Sequence, residues 1–111
     1  MIYPIEKITT LIGAHRYGKS SAAISWLLTD SRSLSFPEAT LFFAIHTQRN
    51  DGHKYIADLY SRGVRNFVVE TLPTDLEASF PKSNFLRVPN TLKALQRLAE
   101  RHRDEFQIPV I

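Results

Sequence analysis

The middle of the chain carries the spacing of a strand, a helix and a second strand. This unit constrains the fold more than any other feature of the sequence. Residues 41–45 form a short continuous apolar run, which is typical of a strand buried on both faces. Asp51 is suited to cap a helix over 52–62, and residues 66–69 predict the next strand. Such a unit forms a right-handed crossover between parallel strands.

Patterns before this unit extend it into an α/β domain. Apolar residues recur at helical spacing over 5–12, and Gly13 is suited to end that helix. Alternating apolar residues over 24–28 predict one strand. We therefore expect a single small α/β domain over residues 1–111, with a mixed, mostly parallel sheet flanked by about three helices.

Patterns after the unit continue the alternation. The segment 71–84 predicts a loop with a helical turn, and 85–88 predict a strand. Asn90 or Thr91 begins a last helix, and residues 108–111 predict the opening of another strand. The predicted inner face of the last helix comprises Leu92, Leu95, Leu98, Ala99, His102 and Phe106.

Composition excludes several classes of site. The 111 residues include no cysteine, which removes disulfides, thiolate metal sites and thiol nucleophiles. The net charge of +3 comes from 14 basic and 11 acidic residues without a run of five like charges, which is typical of a mixed surface. A nucleic-acid module, whose affinity would depend steeply on salt, is a further alternative that ranks low because no basic patch interleaved with aromatic residues appears. No signal peptide is apparent, and no apolar stretch approaches the roughly 20 residues that span a membrane. We expect a cytoplasmic protein with neither nucleic acid nor membrane as partner.

Residues 13–20 (GAHRYGKS) fit the phosphate-loop pattern G-x-x-x-x-G-K-S. A working phosphate loop needs a strand before it and a helix after it, whereas here a helix precedes and a strand follows. The alternative function that this motif keeps open is a small NTPase or kinase using Lys19 and Ser20. In that case Lys19→Ala would abolish ATP binding, and Glu70 is the one candidate for a downstream metal-binding acid.

Three polar clusters lie where an α/β sheet binds ligands, beyond the carboxyl ends of its strands. Residues 30–32 and 46–48 each follow a predicted strand, and residues 51–53 begin a helix whose first amides could hold an anion. Ordinary polar turns would give the same local patterns. The four histidines are too scattered to predict a metal site, and no catalytic arrangement is apparent.

Five stretches in order resemble the N-terminal domain of the Mur ligases, the ATP-dependent enzymes that add amino acids to the UDP-linked peptidoglycan precursor. Within that family the sequence is most similar to the MurF type, which adds D-alanyl-D-alanine, and it is also similar to ligases fused to an alanine racemase. The stretches are Leu27–Arg32 (LLTDSR), Thr40–Ile45 (TLFFAI), Arg49–His53 (RNDGH), Gly63–Glu70 (GVRNFVVE) and Asn90–Leu95 (NTLKAL).

The resemblance implies a domain that holds the UDP part of UDP-N-acetylmuramoyl-tripeptide and has no catalytic residue of its own. Its partners in the enzyme would be an absent central domain, which uses ATP and Mg²⁺, and an absent C-terminal domain, which helps bind the incoming dipeptide. Pyridoxal phosphate (PLP) would serve a fused racemase. Residues 108–111 would begin the strand that leads into the ATP-binding domain. The residues implied to bind UDP are Ser31, Arg32, His46, Thr47, Gln48, Asp51 and Gly52.

One departure from the family pattern concerns the loop after the second strand. Many members have a glycine soon after the Phe-Ala strand, where this chain has His46 and Thr47. The detailed contacts at 46–48 therefore need not follow the family.

Overall fold

Short strands and helices alternate along the chain. The computed structural model describes residues 3–30, 32, 34–46, 48 and 51–102, with only the backbone of residues 77, 101 and 102. The predicted strand at 108–111 lies outside these residues. The strands are β1 (Tyr3–Pro4), β2 (His15–Tyr17), β3 (Ala23–Ile24), β4 (Trp26–Leu28), β5 (Thr40–Phe43), β6 (Asn66–Val69) and β7 (Asn84–Arg87). The helices are α1 (Ile5–Ile12), α2 (Ile56–Ser61), α3 (Leu76–Ser79) and α4 (Thr91–His102), with 3-10 turns at Pro37–Ala39 and Gly52–Tyr55.

Five strands form the main sheet, in the order β2-β7-β6-β5-β4. Strands β4 to β7 are parallel, and β2 pairs antiparallel with β7 at one edge. The 3-10 turn and α2 connect β5 to its parallel neighbour β6, as the crossover spacing predicts. A mixed, mostly parallel sheet with helices around it confirms the predicted fold class.

Each face of the sheet carries its own apolar core, because side chains alternate along a strand. Phe43 and Val68 point toward the face covered by α1 and α4. Phe42 and Phe67 point toward the opposite face, which α2 and α3 cover. Every residue of β5 and β6 is buried, as expected for central strands of a doubly covered parallel sheet.

The strand predicted over 24–28 is two strands in different sheets. Ala23–Ile24 pairs antiparallel with Tyr3–Pro4, whereas Trp26–Leu28 pairs parallel with β5. Ser25 separates them, and its amide donates to Ala39 O at 3.0 Å. Alternating apolar residues specify which face is buried but not which neighbour pairs with the backbone, so a single run predicted a single strand.

The inner face of α4 differs from the prediction at its first turn. Leu92 is 44% exposed, and the buried side chains are Thr91, Ala94, Leu95 and Leu98. These four lie at spacings of three and four residues, so they share one face of the helix, and Leu92 falls beside it. Of the other predicted members, Ala99 is half-buried, while the side chain of His102 and residue 106 lie outside the described residues.

A buried polar network attaches β2 to the sheet. Asn84, which is 1% exposed, accepts from Arg16 Nε and Nη2 at 3.2 and 3.0 Å. Its amide nitrogen donates to Ser20 O and to Asn66 Oδ1, both at 2.9 Å. Gly18 crosses this region so closely that a Cβ there would lie 2.2 Å from Ser83 O. Residues 16–20 are therefore fixed by the sheet itself.

Candidate functional site

The carboxyl ends of β4, β5 and β6 meet at one edge of the sheet, which we call the carboxyl edge. Arg32 follows β4, His46 follows β5, and Glu70 directly follows β6. The 3-10 turn that leads into α2 lies at the same edge, because Gly52 contacts the backbone of Ala44. The sequence prediction that the polar clusters would collect at this edge agrees with the topology.

Arg32 forms an exposed bidentate ion pair with Asp30. Arg32 Nη2 lies 2.8 Å from Asp30 Oδ2, and Arg32 Nε lies 3.1 Å from Oδ1. Hydrogen bonds from the side chain and then from the backbone of Arg32 lower the pKa of Asp30. The pKa of Arg32 is raised mainly by its side-chain hydrogen bonds to Asp30.

The loop after β5 closes through His46, which forms an isolated antiparallel bridge with Asp51. Gly52 then lies against the end of β5, where its amide donates to Ile45 O at 2.8 Å. A Cβ on Gly52 would lie 2.8 Å from Ile45 N and 3.0 Å from Ala44 Cα. Position 52 therefore requires glycine, since a larger residue would push the loop away from the strand.

The first amides of the turn at 52–55 are already hydrogen-bonded, so the prediction that they are free to hold an anion is wrong. The amide of His53 donates to Asp51 Oδ1 at 3.0 Å, and that of Lys54 donates to Asp51 O at 3.2 Å. Hydrogen bonding from the His53 amide is the main cause that lowers the pKa of Asp51. Asp51 thus acts as the cap that the sequence predicted.

His53 connects the start of α2 to the end of β6. Its Nε2 accepts from the backbone amides of Glu70 and Thr71 at 3.0 and 3.4 Å. Because Nε2 accepts, the proton of the neutral ring lies on Nδ1 and is donated to Asp51 Oδ1 at 2.6 Å. Sequence analysis gave His53 no such role, since Glu70 is 17 positions away along the chain.

Glu70 holds the start of α4 rather than a metal. Glu70 Oε2 accepts from Thr91 N at 2.9 Å, and Thr91 Oγ1 lies 3.1 Å from the same oxygen. Thr91 Oγ1 also donates to Ala44 O at 2.9 Å. A carboxylate at a helix N-terminus is electrostatically favourable, so this contact joins α4 to the ends of β5 and β6.

A cavity of about 410 Å³ opens at the carboxyl edge, which we call the edge cavity. It is lined by the charged or titratable residues His46, Asp51, His53, Lys54 and Glu70, and by apolar groups that include Leu72, Pro73 and Phe80. An apolar wall with a few converging polar groups is typical of sites for small molecules. Lys54 is a lining residue that sequence analysis did not single out.

The predicted site residues divide into three groups. His46 and Asp51 line the edge cavity, and Gly52 shapes it from beneath. Arg32 and Gln48 are exposed near the same edge but do not line the cavity. Ser31 and Thr47 lie outside the described residues.

The phosphate-loop pattern at 13–20 does not fold as a phosphate loop. Gly13 ends α1 in a left-handed conformation, with φ of 65°. Residues 15–17 form β2, and the next element after Ser20 is β3 rather than a helix. Without a strand before the loop and a helix after it, the backbone cannot wrap phosphates in the way the NTPase alternative requires.

No group of three or more histidines and acidic residues is arranged to hold a metal ion among the residues the structure describes. The described helices are all too short or too polar to cross a bilayer.

Comparison with known proteins identifies the fold. A UDP-N-acetylmuramoylalanyl-D-glutamyl-2,6-diaminopimelate–D-alanyl-D-alanyl ligase of Acinetobacter baumannii superposes with a TM-score of 0.78 over 94% of this chain, at 21% identity. Two crystal structures of MurF from the same organism each give 0.77 over 94%, also at 21% identity.

The chain spans only about a fifth of these structures, 22%, 22% and 21% of their lengths. No protein-family model matches the sequence, and no curated protein matches it. The resemblance noted in the sequence is thus confirmed at the level of the fold: this chain has the fold of part of the MurF ligases.

Proposed function

We propose that this chain is the domain of a MurF-type ligase that anchors the UDP part of UDP-N-acetylmuramoyl-tripeptide. The observation that carries the proposal is the likeness of fold, a TM-score of 0.78 over 94% of this chain at 22% of the ligase's length. In this proposal the remainder of a longer enzyme uses ATP and Mg²⁺ and adds D-alanyl-D-alanine. Its role would be in peptidoglycan synthesis.

Arg32 is the residue we propose for the diphosphate. Its side chain is 88% exposed, and that of its partner Asp30 is 30% exposed. A solvent-screened ion pair contributes little to stability, so the guanidinium can exchange the carboxylate for phosphate oxygens. The planar fork of donors that now contacts Asp30 fits two phosphate oxygens equally well.

The edge cavity is the place we propose for the uridine. Its volume of about 410 Å³ lies within the range of small-molecule sites. Two hydrogen bonds hold the turn at 52–55 in place before a ligand arrives: Asp51 Oδ1 accepts from the His53 amide, and His53 Nε2 accepts from the Glu70 amide. Such preorganisation lowers the entropic cost of binding.

The test is an NMR shift titration of the 111-residue chain with UDP-N-acetylmuramoyl-tripeptide, with Mg-ATP as the parallel ligand. Because an open diphosphate site is screened by salt, we expect a Kd of about 0.1–1 mM, or about 4–5.5 kcal/mol. Shifts should appear at 30–32 and 46–53 with the UDP compound and not with ATP. Absence of shifts at 30–32 and 46–53 with the UDP compound, or the same shifts with ATP, would contradict the proposal.

A pair of arginine variants sharpens the test. We expect Arg32→Ala to weaken binding of the UDP compound about tenfold, as for the loss of a charge-assisted phosphate contact. Arg97→Ala is the matched control, because Arg97 is an exposed arginine of α4, beside Gly13 at the end of α1. Equal affinities of the two variants would remove Arg32 from the site.

A further inference from the structure

A second and larger cavity adjoins the edge cavity. It measures about 930 Å³ and opens between the turn after β2 and the segment 72–83 that carries α3. We call it the α3 groove. It shares Leu72, Pro73 and Phe80 with the edge cavity but has its own lining from residues 17–20. The proposed function makes no use of it.

Two lysines line this groove near each other. Gly18 lies against the carbonyl of Ser83, since a Cβ on Gly18 would be 2.2 Å from that oxygen. Lys19 directly follows Gly18, and Lys82 directly precedes Ser83. Both lysines line the groove. Neither ammonium group has an ion-pair partner among the described residues.

The turn beneath Lys19 is fixed by the folded sheet. Ser20 O accepts from Arg16 Nη2 at 2.8 Å and from Asn84 Nδ2 at 2.9 Å. Lys82 has a φ of 61°, a left-handed conformation that a lysine rarely adopts. Backbone held in such a conformation is found disproportionately at ligand sites.

The remaining lining is mostly apolar. Leu76 and Phe80 are half-buried against the apolar core on the face that α2 and α3 cover, and Tyr17 is 41% exposed. Among the side chains that the structure describes in the lining, Asp75 is the acidic one, so the two lysines leave this set with a net positive charge. A complementary ligand carries a negative group beside an apolar one.

We propose that the α3 groove binds a small organic anion, a phosphate or carboxylate attached to an apolar or aromatic group. The lysines supply two ammonium charges for the head group, and the half-buried side chains supply a surface for the apolar body. Binding of this kind needs no phosphate loop, because the contacts come from side chains rather than from wrapped amides. The α3 groove adjoins the edge cavity along Leu72, Pro73 and Phe80, and the proposal does not require that the edge cavity binds UDP.

The experiment is an NMR shift titration of the 111-residue chain with phenyl phosphate and with benzoate, which distinguish the two head groups. Inorganic phosphate and phenol are the half-ligand controls. We expect shifts at 17–20, 72–76 and 80–83 with at least one of the two compounds, and weaker binding of both halves. Shifts confined to 46–53, or a response to inorganic phosphate as strong as to phenyl phosphate, would overturn the proposal.

Three variants assign the binding to the lysines. We expect Lys19→Gln and Lys82→Asn each to weaken binding about fivefold, consistent with loss of one partly screened charge. Asparagine is chosen at 82 because it tolerates a positive φ. Lys93→Gln removes an exposed charge on α4 and is the control. A dispersed spectrum confirms folding of each variant, and unchanged affinity in both groove variants, or an equal loss in Lys93→Gln, would refute the site.

Discussion

At the scale of single residues, Gly18 and Gly13 have positive φ values for different reasons. Gly18 has a φ of 125° and touches the backbone of Ser83 and Asn84, whereas Gly13 has a φ of 65° and the nearest atom to a Cβ there is 4.0 Å away. Both glycines belong to the phosphate-loop pattern. The match to that pattern therefore has structural causes: Gly13 ends α1, and Gly18 lies against the backbone that leads into β7.

The pair Gly18→Ala and Gly13→Ala tests this difference. We expect Gly13→Ala to lower the free energy of unfolding by about 1 kcal/mol, because alanine disfavours the left-handed conformation but has open space around it. Gly18→Ala adds a backbone clash and should cost at least about 3 kcal/mol. Urea unfolding monitored by circular dichroism measures both. Equal losses would show that the contact with Ser83 does not constrain position 18.

Asp51 makes stability depend on acid pH. Its pKa is lowered from 3.8 in the folded chain, mainly by the His53 amide. Between the folded and unfolded values the unfolded state binds more protons, so this contribution is complete above 3.8 and is lost as the pH falls through the folded value. We expect Asp51→Asn to lose less stability than the wild type between about pH 5 and pH 2. Urea unfolding measures the free energy of unfolding of both proteins at each pH. The same dependence on pH in the two proteins would contradict this expectation.

Local sequence predicted the residues that act on near neighbours and missed those that act at a distance. Asp51 as a cap and Gly13 as a helix end depend on contacts within a few positions. The bonds from the Glu70 amide to His53 and from Arg16 to Asn84 span 17 and 68 positions, and no local pattern encodes them. The roles of Ser31 and Thr47 stay predictions.

At the scale of elements, β2 shows how polar residues can specify an edge strand. Sequence analysis assigned no strand to 15–17, because His15, Arg16 and Tyr17 form no apolar pattern. The strand is held by three ladder pairs with β7 and by the bonds of Arg16 to Asn84. The apolar strands β5 and β6, in contrast, were predicted almost to the residue, since burial on both faces leaves a continuous run.

Asn84→Ala tests the network behind β2. The substitution leaves donors and acceptors of Arg16, Ser20 and Asn66 without their partner, so we expect a loss of about 2–4 kcal/mol. Asn90→Ala is the control, because Asn90 is an exposed cap whose Oδ1 accepts from Lys93 N, and it should cost about 1 kcal/mol. Chemical denaturation compares the two. A loss in Asn84→Ala no larger than in Asn90→Ala would show that the network adds nothing.

At the scale of the whole molecule, adjacent phenylalanines of one strand serve opposite cores. Phe42 and Phe43 are both 0% exposed, on the α2 and the α1–α4 faces respectively. The sheet between them is common to both cores. A defect on either side therefore weakens the same five strands.

We expect Phe42→Ala and Phe43→Ala each to cost about 3–5 kcal/mol and to lower the midpoint of one shared unfolding transition. Phe36→Ala is the control, since Phe36 is 56% exposed and stacks on Trp26 at 5.2 Å, and should cost about 1 kcal/mol or less. Urea unfolding followed by two probes, tryptophan fluorescence and circular dichroism, measures this. Separate transitions by the two probes in either core variant would mean that the faces unfold independently.

The pairing of β2 with β7 has a consequence for synthesis on the ribosome. Strand β2 lies near the start of the chain, yet its hydrogen-bonding partner is residues 85–87, some 70 positions later. Strands emerge in order during translation, and contacts of large sequence separation form late. Until β7 has cleared the exit tunnel, the backbone of β2 is bonded only to water, and the growing sheet is open on the side that β2 will close. Of the strands described in the main sheet, β7 comes latest in the sequence, and it provides the hydrogen-bonding edge for β2, which comes earliest.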